Sequence, residues 1–328
     1  MRKLNWVVVA AVVFACLFST QVFGQNNQTR QLVIYMQCGG TQGDGATLAR
    51  TNGARAAAAA NNVKLIEQYS KWDMQTMIEQ FKQALAANPD GIAIMGHPGE
   101  AALGPLVDDA ESRGIVITSG NNSLPNLEAK YQNKGFGYAG ADLYTGGAVT
   151  AQAMLRAGLK AGDKALVYDI WHEELRSRSA QGIYDTLTKA GLIVDKLDVS
   201  QAVNSESSMA VPILTAYLQA HPDLKAIGTQ HGGITQILPK VLQNAGKKPG
   251  DIICGGIDLS PATVSAIQAG WVTASFDQVL YLQGYLPVLQ IVLTKRFLIP
   301  GLHIDTGVGT VTPQNVGTIK SLIDQGIR

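Results

Sequence analysis

The sequence predicts an α/β protein made of two similar doubly wound parallel-sheet domains, joined by a hinge, with a ligand cleft between them. Short apolar runs rich in Val and Ile alternate with stretches of helical periodicity along most of the chain. This alternation indicates βαβ units on a parallel sheet that is covered on both faces. The chain has 328 residues, and at about 150 residues per domain this length favours two domains.

The first half of the chain supplies one series of these units. Strands are predicted at 32–36, 63–69, 91–96 and 115–120. Helices are predicted over ARAAAAA, over 74–86 and over ALGPLVDDAESRG. The stretch 121–137 contains a proline and several asparagines, has no period, and is predicted to be irregular.

The second half repeats the pattern after a helix over about 142–157. Strands are predicted at 164–170 and 224–230, and within LIVDKLDV, DIICGGID and VTASFD. Helices are predicted over 174–190, around 211–220, up to Ala245, and from Pro261. We predict one domain from residues 25–140 with 279–306 and a second from 141–278 with 307–328. The crossings near 119–140 and 274–279 are the hinge candidates.

The first 24 residues have the layout of a signal peptide. A basic start, MRK, precedes an apolar run from Val7 to Phe18 and then smaller residues, as in secretory signals. The run is shorter than the ~20 residues that a membrane-spanning helix needs. Phe14 fits a lipoprotein site at Cys16 poorly, so we predict cleavage after Gly24 and a periplasmic protein.

The composition excludes several classes of function. Hydrophobic residues make up 46% and charged residues 16%, with a net charge of +1, which argues against a disordered chain and against nucleic acid as a partner.

Cys38 and Cys254 remain after cleavage, and an exported chain could join them. Both cysteines lie in apolar strands, where a free thiol packs as a small hydrophobe, so we favour free thiols.

The candidate site follows from the strand ends, because open parallel sheets bind ligands beyond the carboxyl ends of their strands. The segments that follow the apolar runs are rich in Asp, Asn, Gln, His and Trp. They read QCGGTQGDG, SKWD, GHPGE, SGNN, IWHEE, TQHGG, GGIDLSP and FDQ.

The glycine-rich stretch CGGTQGDGAT raises the question of a phosphate loop. It lacks the Gly-Lys-Ser/Thr ending of a P-loop, and Asp44 would repel an anion. Two interpretations stay open at this point: a glycine turn with a polar helix start, or a loop that touches a neutral ligand.

Histidines and tryptophans supply further candidates. No pair forms H-x-x-x-H, so we predict no metal site, but His97, His172 and His231 each follow a strand and could face a ligand. Trp72 and Trp171 also follow strands and could stack on the CH face of a sugar, whereas Trp271 lies within a strand pattern and is interpreted as packing. His221 and His303 are interpreted as surface or structural residues.

No arrangement of residues favours catalysis. G-x-S-x-G is absent, no cysteine pairs visibly with a histidine, and no two carboxylates have the spacing of an acid/base pair. A triad assembled in space is not excluded by sequence distance. The sequence therefore favours a binding protein that needs no cofactor over an enzyme.

The chain resembles the type 1 periplasmic binding proteins of the ribose and galactose kind, the soluble receptors of sugar ABC importers. The resemblance runs from QLVIYM to about Thr312 and is most specific over AIGTQHGGITQILPKVLQNAGKKPGDIICGGIDLSPATVSAIQAGWVTASFDQ. It implies that Asp258 accepts sugar hydroxyls and that Gln278 makes a contact beside the hinge. His231 takes a position that usually carries Asn or Asp.

The resemblance also implies contacts elsewhere in the cleft. Asn121 and Asn122 stand where the ribose-type proteins carry an Asp-Arg pair, and Asp44 matches a polar contact after the first strand. The arginine that begins a helix of the second domain corresponds to Arg176 or to Arg178.

The chain departs from the family pattern at one wall of the site. Ala46 and Thr47 replace two aromatic residues that hold the pyranose ring in ribose-type proteins, and the first-domain arginine is missing. The stacking role must then pass to Trp171, Trp72 or tyrosines, so the ligand need not be a pyranose.

The function implied by the resemblance is that of a monomeric periplasmic binding protein. It would close around a sugar or polyol and deliver it to an inner-membrane ABC permease and its ATPase. A ligand-sensing receptor for chemotaxis or two-component signalling, including one for an autoinducer-type furanose, is the alternative. A LacI-type regulator is disfavoured because a signal peptide stands where the DNA-binding head would be, and a periplasmic enzyme would need an acid/base pair.

Overall fold

The computed structural model describes residues 30–328 and contains two six-stranded sheets. The predicted signal peptide lies outside the described residues. The first sheet has the order β11-β5-β4-β3-β1-β2, and every pairing in it is parallel. Its strands are β1 (Leu32–Gly39), β2 (Val63–Tyr69), β3 (Gly91–Met95), β4 (Val116–Gly120), β5 (Gly137–Gly140) and β11 (His303–Asp305).

The second sheet repeats this order as β12-β10-β9-β8-β6-β7. Its strands are β6 (Lys164–Asp169), β7 (Ile193–Asp198), β8 (Leu224–Thr229), β9 (Ile253–Ile257), β10 (Ala274–Asp277) and β12 (Gly309–Val311). All its pairings are parallel except that of the edge strand β12, which runs antiparallel to β10. The fold prediction is confirmed, and positions in the two sheets can be matched strand by strand.

Helices cover both sheets. They are α1 (Gly45–Ala60), α2 (Met74–Ala86), α3 (Gly99–Ser112), α4 (Pro125–Tyr131), α5 (Leu143–Arg156), α6 (Arg178–Lys189), α7 (Gln201–Ser205), α8 (Ser207–Ala220), α9 (Gly232–Thr235), α10 (Leu238–Asn244), α11 (Pro261–Gln268), α12 (Leu280–Phe297) and α13 (Val316–Asp324). Among the described residues, none of these helices is both long enough and apolar enough to cross a membrane.

Burial explains why the central strands read as continuous apolar runs. Every residue of β3 and β4 is buried, as expected for strands with helices on both faces. The helix pairs α1 with α12 and α5 with α6 pack closely, because glycines let the backbones approach. A Cβ at Gly53 would lie 1.9 Å from the carbonyl oxygen of Tyr281.

One local prediction is wrong. The stretch 121–137, predicted to be irregular, contains α4 followed by a 3₁₀ helix at Gln132–Lys134. Pro125 occupies the first turn of α4, where the missing N–H of proline costs nothing and its fixed φ favours the helix. The proline that breaks the sequence period therefore begins a helix here.

The chain passes between the two sheets at three places: 141–142, 278–279 and 306–308. We name the first sheet with its helices the N-lobe and the second sheet with its helices the C-lobe. Val279, in the second crossing, has a φ of 47°, which is unusual for a β-branched residue.

The two cysteines of the described chain are free thiols. Cys38 lies in β1 of the N-lobe and Cys254 in β9 of the C-lobe, and both are buried. Because they belong to different sheets, each packs in the core of its own lobe.

Candidate functional site

A cavity of about 480 Å³ lies between the lobes at the carboxyl ends of the strands. We call it the inner cavity. Its lining comes from both lobes and from the second crossing: Ala46, Arg50, Trp72, His97, Asn121, Asn122, Leu143, Arg176, Ser179, Gln230, His231, Ile257, Asp258, Gln278 and Leu280. Most of the side chains predicted from the sequence therefore meet in one place.

Asp258 follows β9 directly and is buried in the inner cavity. Its φ is 68°, and its backbone N–H donates to the carbonyl of Phe276 at 2.9 Å. Gln278 Nε2 donates to Asp258 Oδ1 at 2.7 Å. Burial raises the pKa of the carboxyl to about 6, although the bond from Gln278 and the nearby Arg50 act in the opposite direction. At neutral pH Asp258 is mostly an ionised acceptor.

A buried amide network supports the N-lobe side of the cavity. Asn121 Nδ2 donates to Gln283 Oε1 at 3.2 Å and to Gln278 Oε1 at 3.4 Å. Gln283 is fully buried and donates to Thr306 Oγ1 at 3.2 Å. The network therefore joins a cavity side chain to residues of the second and third crossings.

Arg50 is the largest residue of the inner cavity that sequence reasoning missed. It is fully buried, donates to the carbonyl of Cys38 and to Gln283 Oε1, both at 3.2 Å, and lies 5.5 Å from the ring of Trp72. Burial lowers its pKa, while the carboxylate of Asp258 favours its charge. Arg50 follows Ala46 by four residues on α1, so the two share a helix face; that spacing was the available signal.

The structure distinguishes Arg176 from Arg178. Arg176 is buried in the cavity, its Nη1 lies 3.3 Å from Glu173 Oε2, and it also donates to Gln201. Arg178 instead lies over the ring of Tyr144 at 5.5 Å. Of the two arginines, Arg176 is therefore the one that lines the inner cavity.

His97 and His231 are neutral hydrogen-bonding groups at the cavity. Burial lowers the pKa of His231 to about 4 and holds that of His97 well below its ordinary value, with a further contribution from the positive charge of Arg176. Nδ1 of each ring is buried without a partner among the described residues. Each imidazole can thus donate or accept one further bond.

Trp72 forms the aromatic wall. Its ring centroid lies 5.5 Å from that of His97 and 6.3 Å from that of His231. Two glycines make room for it, because a Cβ at Gly39 would lie 2.5 Å from the indole and one at Gly40 would lie 2.6 Å from its Nε1. CGGTQGDGAT is therefore a glycine turn that accommodates an indole.

Asp44 lies outside the inner cavity lining because its carboxylate caps α1. Asp44 Oδ1 accepts from the N–H of Thr47 at 2.7 Å, and Oδ2 accepts from that of Thr41 at 2.8 Å. Both oxygens are occupied at the helix start, which is the arrangement favoured at an N-cap. The carboxylate of Asp44 therefore caps α1, and the residue lines a neighbouring cavity instead of the inner one.

Trp171 and His172 also lie outside the inner cavity lining. Trp171 Nε1 donates to the carbonyl of Val167 at 3.3 Å, and Lys196 Nζ lies 3.8 Å from the ring. His172 is exposed and lies 3.0 Å from Asp198 Oδ1. Lys196 and Asp198 belong to β7, the edge strand beside β6, so both side chains pack against that strand.

The remaining residues of the inner cavity complete its surface. Gln230 and Ser179 add polar groups, and Leu143, Ile257 and Leu280 add apolar ones. Sequence reasoning missed these five. Within residues 30–328, no group of three or more His, Cys, Asp or Glu side chains could hold a metal ion.

The sequence profile of the periplasmic binding protein domain matches residues 41–293. The chain belongs to this family. The resemblance to periplasmic binding proteins is thereby confirmed. In this member of the family, two lobes enclose a cavity at the carboxyl ends of their strands.

A curated relative of this periplasmic binding protein is the xylose/arabinose-binding protein of Sulfolobus acidocaldarius. The two are 28% identical over 254 residues, which cover 74% of this chain and 62% of the relative. The chain therefore spans less than two thirds of that relative's length.

Solved structures share the fold across nearly the whole chain. A carbohydrate transporter from Acidothermus cellulolyticus 11B in complex with myo-inositol has a TM-score of 0.75 at 22% identity, covering 91% of this chain and 100% of that one. An ABC transporter solute binding protein from Agrobacterium vitis with bound D-fucose has a TM-score of 0.76 at 20% identity, covering 89% and 98%. A solute binding protein from Burkholderia graminis C4D1M, in complex with D-arabinose, has a TM-score of 0.75 at 22% identity, covering 88% and 97%.

Proposed function

We propose that the protein is the soluble binding component of an ABC importer and that it holds a sugar or polyol in the inner cavity. The observation that carries this proposal is the lining of that cavity. Buried amides, imidazoles, a carboxylate and arginines from both lobes surround a space that also has one indole wall.

The charges of the site favour an uncharged ligand. Arg50 is close enough to Asp258 for each to stabilise the charge of the other. Arg176 has its own carboxylate, Glu173, at 3.3 Å. Because each buried cation has an anionic neighbour, the described residues that line the cavity leave no unpaired charge for an ionic ligand to neutralise.

Hydroxyl groups suit the polar atoms that remain. Asp258 would accept from hydroxyls, and Asn122 Nδ2 and the two imidazole Nδ1 atoms are buried without partners among the described residues. Hydrogen bonds to charged groups contribute about 1.5–3 kcal/mol each, against about 1 kcal/mol for neutral pairs. Trp72 would cover the apolar face of the ring.

Binding would involve closure of the lobes about their crossings. We propose domains of residues 25–140 with 279–306 and 141–278 with 307–328, moving as rigid bodies. Contacts already cross the cleft, including Gln201 Nε2 to the carbonyl of Trp72 at 3.5 Å. The lobes would separate here to admit a ligand.

The similar proteins support the transport context. The relative named for xylose and arabinose and the structures with myo-inositol, D-fucose and D-arabinose are all binding or transport proteins for hydroxylated molecules. We infer that this chain acts as a monomer without catalysis. Its first 24 residues would direct it to the periplasm, where it would deliver its ligand to an inner-membrane permease and its ATPase.

A thermal-shift screen tests the proposal. The purified protein is heated with D-xylose, L-arabinose, D-galactose, D-fucose or myo-inositol, and at least one is expected to raise the unfolding temperature. Asp258→Ala should remove this shift while the ligand-free protein still unfolds cooperatively. His172→Ala, outside the cavity, is the matched control and should keep the shift.

Two results would contradict the proposal. If the protein turned over a sugar and no sugar or polyol stabilised it, the proposed transport function would be replaced by a catalytic one. An unchanged ligand shift in Asp258→Ala would remove this carboxylate from the site.

A further inference from the structure

A second cavity adjoins the inner one and widens the site. It measures about 1100 Å³, including space open to solvent, and is lined by both lobes; we call it the outer cavity. Four residues line both spaces: Ala46, Trp72, His231 and Asp258. Part of the wall that would confine a ligand to the inner cavity is therefore shared with a second, larger space.

Ala46 is the smallest of the four residues that line both cavities. The side chain of Ala46 is a single methyl group, and Gly232 and Gly233 follow His231 on the opposite lobe. A Cβ at Gly232 would lie 2.7 Å from Cβ of Asp258, so only a glycine lets the backbone pass this close to the carboxylate. Nδ1 of His231, on the same boundary, is buried and unpaired within the described chain.

The other side of the inner cavity is more firmly closed. A third cavity of about 980 Å³, the hinge-side cavity, meets the inner one at Asn121, Asn122 and Leu143. Asn121 is fixed there by bonds to Gln278 and Gln283. The backbone of Asn122 packs against Gly96, where a Cβ would lie 1.9 Å from the Asn122 carbonyl oxygen. A ligand that outgrows the inner cavity would extend past Ala46.

The outer cavity has the chemistry of a second hydroxyl-binding site. Its lining includes Lys71, Glu206, Ser207 and Gln236. The lysine is a positively charged donor, the glutamate is a negatively charged acceptor, and the serine and glutamine can do both as neutral groups. Asp44 is also on its wall, with its carboxylate occupied by the start of α1. An apolar tail would leave these polar groups unsatisfied, whereas a hydroxylated group would pair with them.

We propose that the ligand is a disaccharide or other glycoside, with one ring in the inner cavity and its hydroxylated second unit in the outer cavity. This inference rests on the proposed function and specifies its substrate class. The indole of Trp72 borders both spaces and would lie against the ligand where the two units join.

The test compares disaccharides with their own component rings. Isothermal titration measures the affinity of the purified protein for D-xylose and xylobiose, for D-glucose with cellobiose and maltose, and for D-galactose with lactose and melibiose. At least one disaccharide should bind about tenfold more tightly than its monosaccharide, the effect of one added hydrogen bond to a charged group.

Two serine substitutions form a matched pair. Ser207 lines only the outer cavity and Ser123 only the hinge-side one. Ser207→Phe should fill the outer cavity and reduce the affinity for the disaccharide to that for the monosaccharide, while leaving the monosaccharide affinity unchanged. Ser123→Phe should change neither affinity. Ala46→Phe, which narrows the boundary itself, should also remove the gain, and circular dichroism checks that each variant is folded.

The outcomes separate this inference from the proposed function. If monosaccharides bound as tightly as their disaccharides, the proposal of a two-unit ligand would be overturned. The proposed function as an importer's binding component would stand. If the higher affinity for the disaccharide were lost in Ser123→Phe and kept in Ser207→Phe, the second sugar unit would lie in the hinge-side cavity. That result would overturn its assignment to the outer cavity. Absence of binding by every sugar and polyol would reject both proposals.

Discussion

The two lobes present the same backbone frame to the cavity at matched positions. Asn121 follows the fourth strand of the N-lobe sheet directly, and Asp258 follows the matching strand of the C-lobe; their φ angles are 66° and 68°. His97 and His231 are each the second residue after the third strand of a lobe. Nδ1 of each histidine is buried and has no partner among the described residues.

The side chains on this common frame differ. The third residue after the second strand is Trp72 in the N-lobe and Gln201 in the C-lobe. The first residue after the fourth strand is neutral in the N-lobe and a carboxylate in the C-lobe. The repeated fold presents side chains to the cavity at matched places, and the residue types at these places differ: the N-lobe carries an indole and the C-lobe a carboxylate.

The largest loss of ligand affinity is expected from removing the difference in charge between the matched positions Asn121 and Asp258. Asp258→Asn makes the matched positions alike in charge, and we expect the affinity for the sugar ligand to fall about 100-fold. The substitution removes charged hydrogen bonds and leaves Arg50 buried without its counter-charge. Asn121→Ala should lower the affinity about fivefold, the value of a neutral hydrogen bond of about 1 kcal/mol. Titration calorimetry measures both, and equal losses would break the proposed division between the lobes.

Removing the aromatic wall should have the next largest effect. Trp72→Ala is expected to weaken binding about 30-fold, or about 2 kcal/mol, because the ligand loses a buried stacking surface. Trp171→Ala, on the edge of the other lobe, should change affinity less than about twofold. A larger loss from Trp171→Ala than from Trp72→Ala would mean that the ligand contacts the edge of the C-lobe.

A pH titration should have the smallest effect and tests the ionisation of the Asp258 carboxyl group. The pKa of Asp258 is raised to about 6 by burial. Its ionised form accepts hydroxyl bonds, so affinity should be constant above this pH and fall below it, by about tenfold between pH 7.5 and 5. His231, with its pKa near 4, stays neutral over this range.

The Asp258→Asn variant is the control for this titration. Its affinity should be weak and independent of pH between 7.5 and 5, because the group that titrates has been removed. A pH dependence that persists in the variant would assign the titration to another residue.

Strand ends could be predicted from the sequence because they follow from periodicity. Asp258, His97 and Asn121 were found by their place after apolar runs, and all three line the cavity. Arg50 lies within a helix, where the direction of a side chain depends on how that helix packs, and α1 packs against α12 from far along the chain. Its role therefore required the tertiary structure.

The choice between the two strand-end tryptophans was equally beyond sequence reasoning. Trp72 and Trp171 have the same local pattern, and the notable difference lies in what surrounds them. Gly39 and Gly40, at the end of β1, leave space for the indole of Trp72. Lys196, from a neighbouring strand, covers Trp171. Both causes act between segments that are distant in sequence.

The buried thiols have a practical consequence for following lobe motion in solution. Cys38 and Cys254 are inaccessible, and burial raises the pKa of both, that of Cys254 to about 12, so neither forms the reactive thiolate near neutral pH. Ser205 is exposed at the cleft, and its Oγ lies 3.4 Å from the carbonyl of Lys71 on the opposite lobe. A single cysteine introduced as Ser205→Cys would be the one reactive site among residues 30–328. A fluorophore attached there would convert opening and closing into an optical signal.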